Sequence, residues 1–312
     1  VTDVGSTRAR RLPVTVIGGY LGTGKTTLVN HLLRHAGGRK LAVLVNDFGA
    51  LPIDRDLIVS AGGDTLEISG GCICCSYGSE LMETLMALPS RRPDLDAVLL
   101  ETSGVALPGM VANAVSLLPA YRIDSIIVLV DAETVLERAA DPYLGDTITR
   151  QVASADLLLV NRCDLAADDQ RAQVVGWLSA QMPAAPIIEA VRATVPSELV
   201  FDIEHRKAGP LAPSALGAPD ASALYEAMEL ALPDPVDAEA LARDLVLPSF
   251  GLLRAKGFVR DRNRGPVTLQ IAGARHAVEP ATNESPSRLV LIGQRGHLDR
   301  SAIERCVAQH TR

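Results

Sequence analysis

The chain has 312 residues, 47% of them hydrophobic but only 3% aromatic, and a formal net charge of −7. That length accommodates two domains with aliphatic cores. The acidic balance and the lack of a long basic run exclude nucleic acid and anionic membrane as main partners, and no apolar stretch reaches the ~18 residues of a membrane span.

In chain order, Val14–Ile17 predicts a strand and Thr26–His35 the helix after it. Arg8, Arg10 and Arg11 precede that strand, but the apolar run is too short for a signal sequence. Leu41–Val45 and Thr65–Ile68 predict strands, the second ending at Gly70-Gly71, and Leu81–Leu88 predicts a helix. Ala97–Leu100 is the next strand and Val111–Leu117 the next helix. Ser125–Val130 and Leu157–Val160 are strands with helices after each, and Pro186–Ile188 is one more. Short, unalternating, β-branched strands between helices indicate an α/β fold with a mostly parallel sheet covered on both faces. This domain is expected over residues 1–207.

The stretch GPLAPSALGAPD reads as a linker within residues 208–222. A smaller α+β domain is expected over residues 223–312. There Ala223–Leu232 fits strand or helix, Val236–Asp244 starts like a helix, and Leu252–Val259, Val267–Ala272 and Leu289–Ile292 read as strands. Asp299–Ala308 reads as a closing helix.

The strongest motif is G-x-x-x-x-G-K-T, placed at Gly19, Gly24, Lys25 and Thr26 between the first strand and its helix. Such a loop wraps phosphate with its own N–H groups, so bulky side chains must be absent at its turns, and the helix start adds positive potential. Lys25 is expected to supply charge to the β- and γ-phosphates and Thr26 a hydroxyl to Mg²⁺. Gly22, Thr23 and Thr27 complete the expected nucleotide-binding loop. The segment ETSG, Glu101 to Gly104, follows the strand Ala97–Leu100, where ligands sit in open α/β sheets. Glu101 is expected to hold Mg²⁺ directly or through water, and Gly104 to bring its N–H near the γ-phosphate.

Asn161-Arg162-Cys163-Asp164 resembles the N-K-x-D guanine signature. A buried Asp164 accepts from both N1–H and the 2-amino group of guanine, a donor pair that adenine lacks. Arg162 replaces the usual Lys, and its stem and plane suit the flat face of a base.

Cys72, Cys74 and Cys75, three of the chain's five cysteines, lie within four residues in GGCICC. Neighbours this close are poor disulfide partners and good metal ligands, and the pattern fits the reducing cytoplasm. Thiolates favour Zn²⁺, Cu⁺ or Co²⁺, and three leave a fourth position for another ligand. A labile disulfide and plain packing are the rival readings. Cys163 and Cys306 stand apart, and the scattered histidines His31, His35, His276, His297 and His310 read as surface or packing residues.

In order and spacing, GGYLGTGKTTLVNHLL, VNDFG, GGCICC, ETSG and NRCD resemble the CobW family of P-loop GTPases, and GLLRAKGFVRD resembles its C-terminal domain. The resemblance implies a GTP-hydrolysing metallochaperone that delivers zinc or cobalt to a client metalloprotein. It implies that the loops at Asn46-Asp47-Phe48-Gly49 and at the cysteines respond to nucleotide, with Asp47 in place of the family's Glu. Ala50 and Leu107 stand where an acid is frequent, and the family's histidine-rich run is missing before the C-terminal domain. No residue is identified that orients the attacking water; a client or a nucleotide-dependent homodimer is expected to supply it. Two alternatives remain: a GTP-dependent metal-sensing switch, and a cofactor-assembly factor without direct metal transfer.

Overall fold

The apolar runs of the first two-thirds of the chain become neighbouring strands of one sheet. A computed structural model describes residues 11–46, 66–70, 79–201, 225–281 and 286–311. Its first part runs β1 (Leu12–Gly19), α1 (Lys25–Arg34), β2 (Leu41–Asn46), β3 (Leu66–Gly70), α2 (Ser79–Arg91), β4 (Ala97–Thr102) and α3 (Pro108–Ser116). It continues with β5 (Tyr121–Asp131), α4 (Val135–Ala140), α5 (Gly145–Ala153), β6 (Leu157–Asn161), α6 (Asp168–Gln181) and β7 (Ile187–Glu189). The spatial order is β3-β2-β4-β1-β5-β6-β7, with every pairing parallel.

The absence of alternation in these strands has a direct cause: β1 and β4 are buried at every position. Helices cover both faces, so successive side chains enter two different cores. Val14, Val16, Leu44, Leu100, Val128 and Leu158 pack into one; Ile17, Val43, Leu99, Ile127, Leu159 and Leu28 of α1 pack into the other. β1 lies between β4 and β5, and the chain leaves β1 toward β2 on one side of it and leaves β4 toward β5 on the other. A crevice therefore opens beyond the C-terminal end of β1, where a ligand fits.

The second part is antiparallel. It comprises β8 (Tyr225–Ala231), α7 (Ala238–Leu245), β9 (Leu252–Asp261), β10 (Gly265–Ala272), β11 (Arg275–Pro280), β12 (Arg288–Gln294) and α8 (Arg300–Gln309), with sheet order β11-β10-β9-β12-β8. Asp237 and Asp299 cap α7 and α8 by accepting from the Ala240 and Ala302 N–H groups at 3.0 and 2.8 Å. The ambiguous stretch Ala223–Leu232 yields β8, because pairing with β12 decides between two open propensities. Strand β11 carries no sequence signal; its residues are at most half-buried, and it forms by turning back on β10 through Gly273 (φ +58°).

The two sheets touch. Arg254 of β9 donates to Asp124 at 2.7 Å, and Arg275 to Asp156 at 2.8 Å. The Ala274 N–H donates to the Asp156 carbonyl at 2.9 Å, and a Cβ on Gly273 would lie 1.8 Å from that oxygen. Tyr225, Leu253 and Ile292 join the second core of the parallel sheet. The linker expected at residues 208–222 lies outside the described residues. Among the described residues no helix is long and apolar enough to cross a membrane.

Candidate nucleotide site

The crevice is floored by the turn from β1 into α1. Gly19, Gly22 and Gly24 have φ of +130°, +79° and +101°, a region that residues with a Cβ avoid. Space enforces the choice at two of them: a Cβ would lie 2.3 Å from the Leu129 carbonyl at Gly19 and 2.4 Å from Asn161 Nδ2 at Gly24. α1 starts at Lys25, so its N-terminal end, with the positive end of its dipole, faces the crevice. Lys25 is buried, and its Nζ donates to the Gly19 and Tyr20 carbonyls at 2.9 and 3.1 Å.

The side chains of the loop's other two threonines differ in their surroundings. The Thr23 hydroxyl donates to the Tyr20 carbonyl at 2.9 Å and Thr23 is buried, so it shapes the loop from within. Thr27 is exposed on α1. Outside the loop, Arg138 of α4 donates to the Leu21 carbonyl at 3.0 Å, with its guanidinium 5.3 Å from the Tyr20 ring centre.

Thr26 and Glu101 meet above this floor. The Thr26 hydroxyl donates to Glu101 Oε1 at 2.9 Å, and Glu101 is 3% exposed. β4 runs on to Thr102, so Glu101 is the penultimate residue of the strand rather than a residue after it. Adjacent oxygens of an octahedral Mg²⁺ with bonds of 2.0–2.1 Å lie about 2.9 Å apart, so this hydroxyl–carboxylate pair fits that ion's donor type and spacing.

Gly104 packs directly on the phosphate loop: a Cβ there would lie 2.8 Å from the Leu21 nitrogen. The fully buried Gln151 of α5 fixes this segment by donating to the Gly104 and Ala106 carbonyls at 3.0 and 2.8 Å. Nothing in the sequence singled out Gln151, because a helical Gln has no local signature of its distant partners.

At the other end of the crevice, Asn161 is a tie. Its Nδ2 donates to the Thr23 carbonyl at 2.9 Å, and its Oδ1 accepts from the Ala193 N–H at 2.7 Å. Phosphate loop, base motif and the segment after β7 are thereby held together. That last segment carries successive left-handed residues, Arg192 (φ +52°) and Ala193 (φ +51°), a strained arrangement of the kind that recurs at ligand sites. Arg162 is also left-handed (φ +62°), and its guanidinium donates to the buried Asp131 at 2.7 Å. Asp164, expected to be buried, is exposed. Cys163 is buried, its Sγ 3.2 Å from the Val160 carbonyl, and burial pushes its thiol up to about 11, which suits a packing role.

Residues 13–189 match the family model of the CobW/HypB/UreG nucleotide-binding domain, and residues 225–310 match that of the cobalamin synthesis protein CobW C-terminal domain. The chain belongs to the CobW family of P-loop GTPases. It is 34% identical over 225 residues to the zinc chaperone CobW of Pseudomonas aeruginosa, covering 62% of this chain and 60% of that relative. It is 27% identical over 343 residues to the zinc chaperone CobW of a Sinorhizobium species, covering 95% and 96% of the two chains. The crystal structure of zinc-bound YjiA GTPase from Escherichia coli is similar at 21% identity, with a TM-score of 0.42, across 97% of this chain and all of that one.

Strand β3, which precedes the cysteines in sequence, ends at Gly70 on the same side of the sheet as β1 and β4. Asp47, Cys72, Cys74 and Cys75 themselves lie outside the described residues. The register of the strands leading to them is defined: Ile17, Glu101, Val45 and Ser69 form one row across β1, β4, β2 and β3. At about 4.8 Å per strand, the backbone at Ser69 stands roughly 10 Å from that at Glu101. Cys72 follows Ser69 by three residues in sequence.

Proposed function

We propose that this CobW-family GTPase couples the binding and hydrolysis of Mg²⁺·GTP to the loading and release of zinc or cobalt at Cys72, Cys74 and Cys75, and passes the ion to a client metalloprotein. The observation that carries the reading is the convergence of Lys25, Thr26 and Glu101 at the C-terminal end of β1, in one row with the strand that leads to the cysteines. The relatives named zinc chaperone support zinc as cargo. The reduced thiols that the cargo site requires suit the cytoplasm.

Lys25 exchanges the Gly19 and Tyr20 carbonyls for the β- and γ-phosphate oxygens. The N–H groups of Gly22 to Thr27 surround the phosphates. Thr26 and Glu101 would hold Mg²⁺, which would supply charge to offset that of the β- and γ-phosphates. Asp164 accepts from guanine N1–H and the 2-amino group, becoming buried as the base arrives. The Arg162 stem, held by Asp131, covers the face of the base. Asn161 keeps the two ends of the crevice at fixed distance. Water attacks the γ-phosphorus, the bond to the bridging oxygen breaks, and GDP and phosphate leave. The group that orients this water comes from a client or from a second copy of the chain in the GTP-bound state.

The γ-phosphate orders the loops at Asp47 and Cys72–Cys75, so its loss relaxes the thiolates and frees the ion. The experiment is titration of the purified protein with Zn²⁺ or Co²⁺ in the presence of a GTP analogue, of GDP, and of neither. One ion bound 5–150-fold more tightly with the GTP analogue, roughly 1–3 kcal/mol, is expected. Equal affinity in all three states removes the chaperone mechanism and leaves the GTPase.

A further inference from the structure

The C-terminal domain brings together three metal-ligating side chains of different chemistry. Asp244 lies in the last turn of α7, and Cys306 and His310 lie one turn apart at the end of α8. One carboxylate oxygen, the thiol sulfur and one ring nitrogen all fall within 4.8 Å of one another. His310 Nε2 and Asp244 Oδ2 are 2.8 Å apart. In the sequence Cys306 and His310 stand apart from every motif; their C-x-x-x-H spacing on a helix is the signal that pairs them, because residues four apart share a face.

We propose that Asp244, Cys306 and His310 form a second site for a thiophilic divalent cation of the Zn²⁺ or Co²⁺ class, on the C-terminal domain and independent of the nucleotide. A sulfur, an imidazole nitrogen and a carboxylate oxygen are the donor types that these borderline ions take together, three protein ligands with a fourth position open. Bonds of 2.0–2.3 Å in tetrahedral array put the donor atoms about 3.3–3.7 Å apart, so the group closes on an ion by shifts of about 1 Å. Burial is graded in the right direction. Cys306 is 5% exposed and belongs to the domain core with Leu241, Leu245, Ile303 and Val307, whereas the side chains of His310 and Asp244 are 17% and 45% exposed. The sulfur thus has a dry, fixed seat, and an ion enters from the carboxylate side.

The position of Asp244 supports the same conclusion. An acid in the last turn of a helix opposes the helix dipole and is unfavourable unless a positive group faces it. His310 faces that carboxylate at 2.8 Å, and a bound cation supplies the positive charge. The backbone anchors the triad: the Asp237 N–H donates to the His310 carbonyl at 2.9 Å, tying the end of α8 to the start of α7.

The site is isolated by working on the full-length chain with Cys72→Ser, Cys74→Ser and Cys75→Ser combined. Titrated anaerobically with Co²⁺, this protein is expected to develop a thiolate-to-cobalt charge-transfer band and the strong visible bands of a tetrahedral ion, saturating at one equivalent and lost on adding Zn²⁺. Adding Cys306→Ser should remove the charge-transfer band. His310→Gln and Asp244→Asn, at the exposed side, should each weaken Co²⁺ binding at least tenfold while the metal-free proteins stay folded with cooperative melting. Absence of the band at one equivalent overturns the proposal, as does a band that survives Cys306→Ser, or Co²⁺ affinity that His310→Gln and Asp244→Asn leave unaltered. No nucleotide enters the assay, so the result is independent of the GTPase cycle.

Discussion

Arg254 of the antiparallel sheet donates to Asp124 of the parallel sheet at 2.7 Å, with side-chain exposures of only 3% and 5%. Arg254 also donates to the Leu199 carbonyl at 3.2 Å, and Asp124 accepts from Arg122 at 2.8 Å. The two domains therefore share a dry, three-charge cluster. A charge left there without its partner is costly, by roughly 3–5 kcal/mol for a buried pair. Arg254→Met should lose stability toward the lower end of that range, since Arg122 still faces Asp124. Urea unfolding of the two proteins measures it, and coincident transitions would mean that the pair contributes nothing to docking.

The same carboxylate sets an acid limit. Burial pushes Asp124 upward, but Arg254 and Arg122 outweigh it and hold the group at about 2. Its folded value lies below its unfolded value. Its contribution is thus complete above the ordinary carboxylate range and is lost as pH falls toward 2. Arg254→Met should move the acid-unfolding midpoint to higher pH. Circular dichroism from pH 7 to pH 2 detects this, and an unmoved midpoint would assign acid unfolding to other groups.

Lys25→Ala should abolish GTP hydrolysis and weaken nucleotide binding, because the phosphates lose their main fixed charge. Lys25 also pins the Gly19 and Tyr20 carbonyls, so a modest fall in nucleotide-free melting temperature should accompany the change. Undiminished turnover of GTP would remove the phosphate-site assignment.

Much of this was legible because the chemistry is local. The phosphate loop, its strand and its helix lie within Leu12–Arg34, and their glycines announce the left-handed turns. What escaped the sequence is carried by contacts between distant segments. Gln151 reaches Gly104 across 47 residues, Arg138 reaches Leu21 across 117, and Asn161 reaches Thr23 across 138. Strand β11 escaped because hairpin pairing, not hydrophobic pattern, makes it a strand. The exposure of Asp164 escaped because N-R-C-D names the donors and acceptors but not the depth of the crevice.

Asn161→Ala and Asp164→Asn should separate the two roles within that motif. Asn161→Ala removes the tie between Thr23 and Ala193, so affinity for GTP and for other nucleoside triphosphates should fall together. Asp164→Asn leaves the tie intact and replaces a charged acceptor with an amide. Preference for guanine should drop by orders of magnitude, and xanthosine triphosphate, whose base presents an acceptor in place of the amino group, should gain. Competition binding with GTP, ATP and xanthosine triphosphate reads both outcomes; an unchanged GTP to xanthosine triphosphate ratio in Asp164→Asn would refute the base-site assignment.

Coupling between nucleotide and cargo must be reciprocal. If a GTP analogue tightens the ion at Cys72, Cys74 and Cys75 by some factor, the ion must tighten the GTP analogue by the same factor. The row from Ile17 through Glu101 and Val45 to Ser69 gives this coupling a short route, since β1, β4 and β3 all end on the side of the sheet where Lys25, Thr26 and Glu101 meet. Isothermal titration of the GTP analogue with and without saturating Zn²⁺ should return the factor found in the metal titration, within about 5–150-fold. Replacing the three cysteines by serine should erase the difference and leave metal-free GTP affinity nearly intact, because Lys25, Thr26, Glu101 and Asp164 are untouched. Hydrolysis rates do not serve here, since reciprocity binds equilibrium affinities and not turnover. Two unequal factors would mean that the ion acts elsewhere, and Asp244, Cys306 and His310 are then the first residues to substitute.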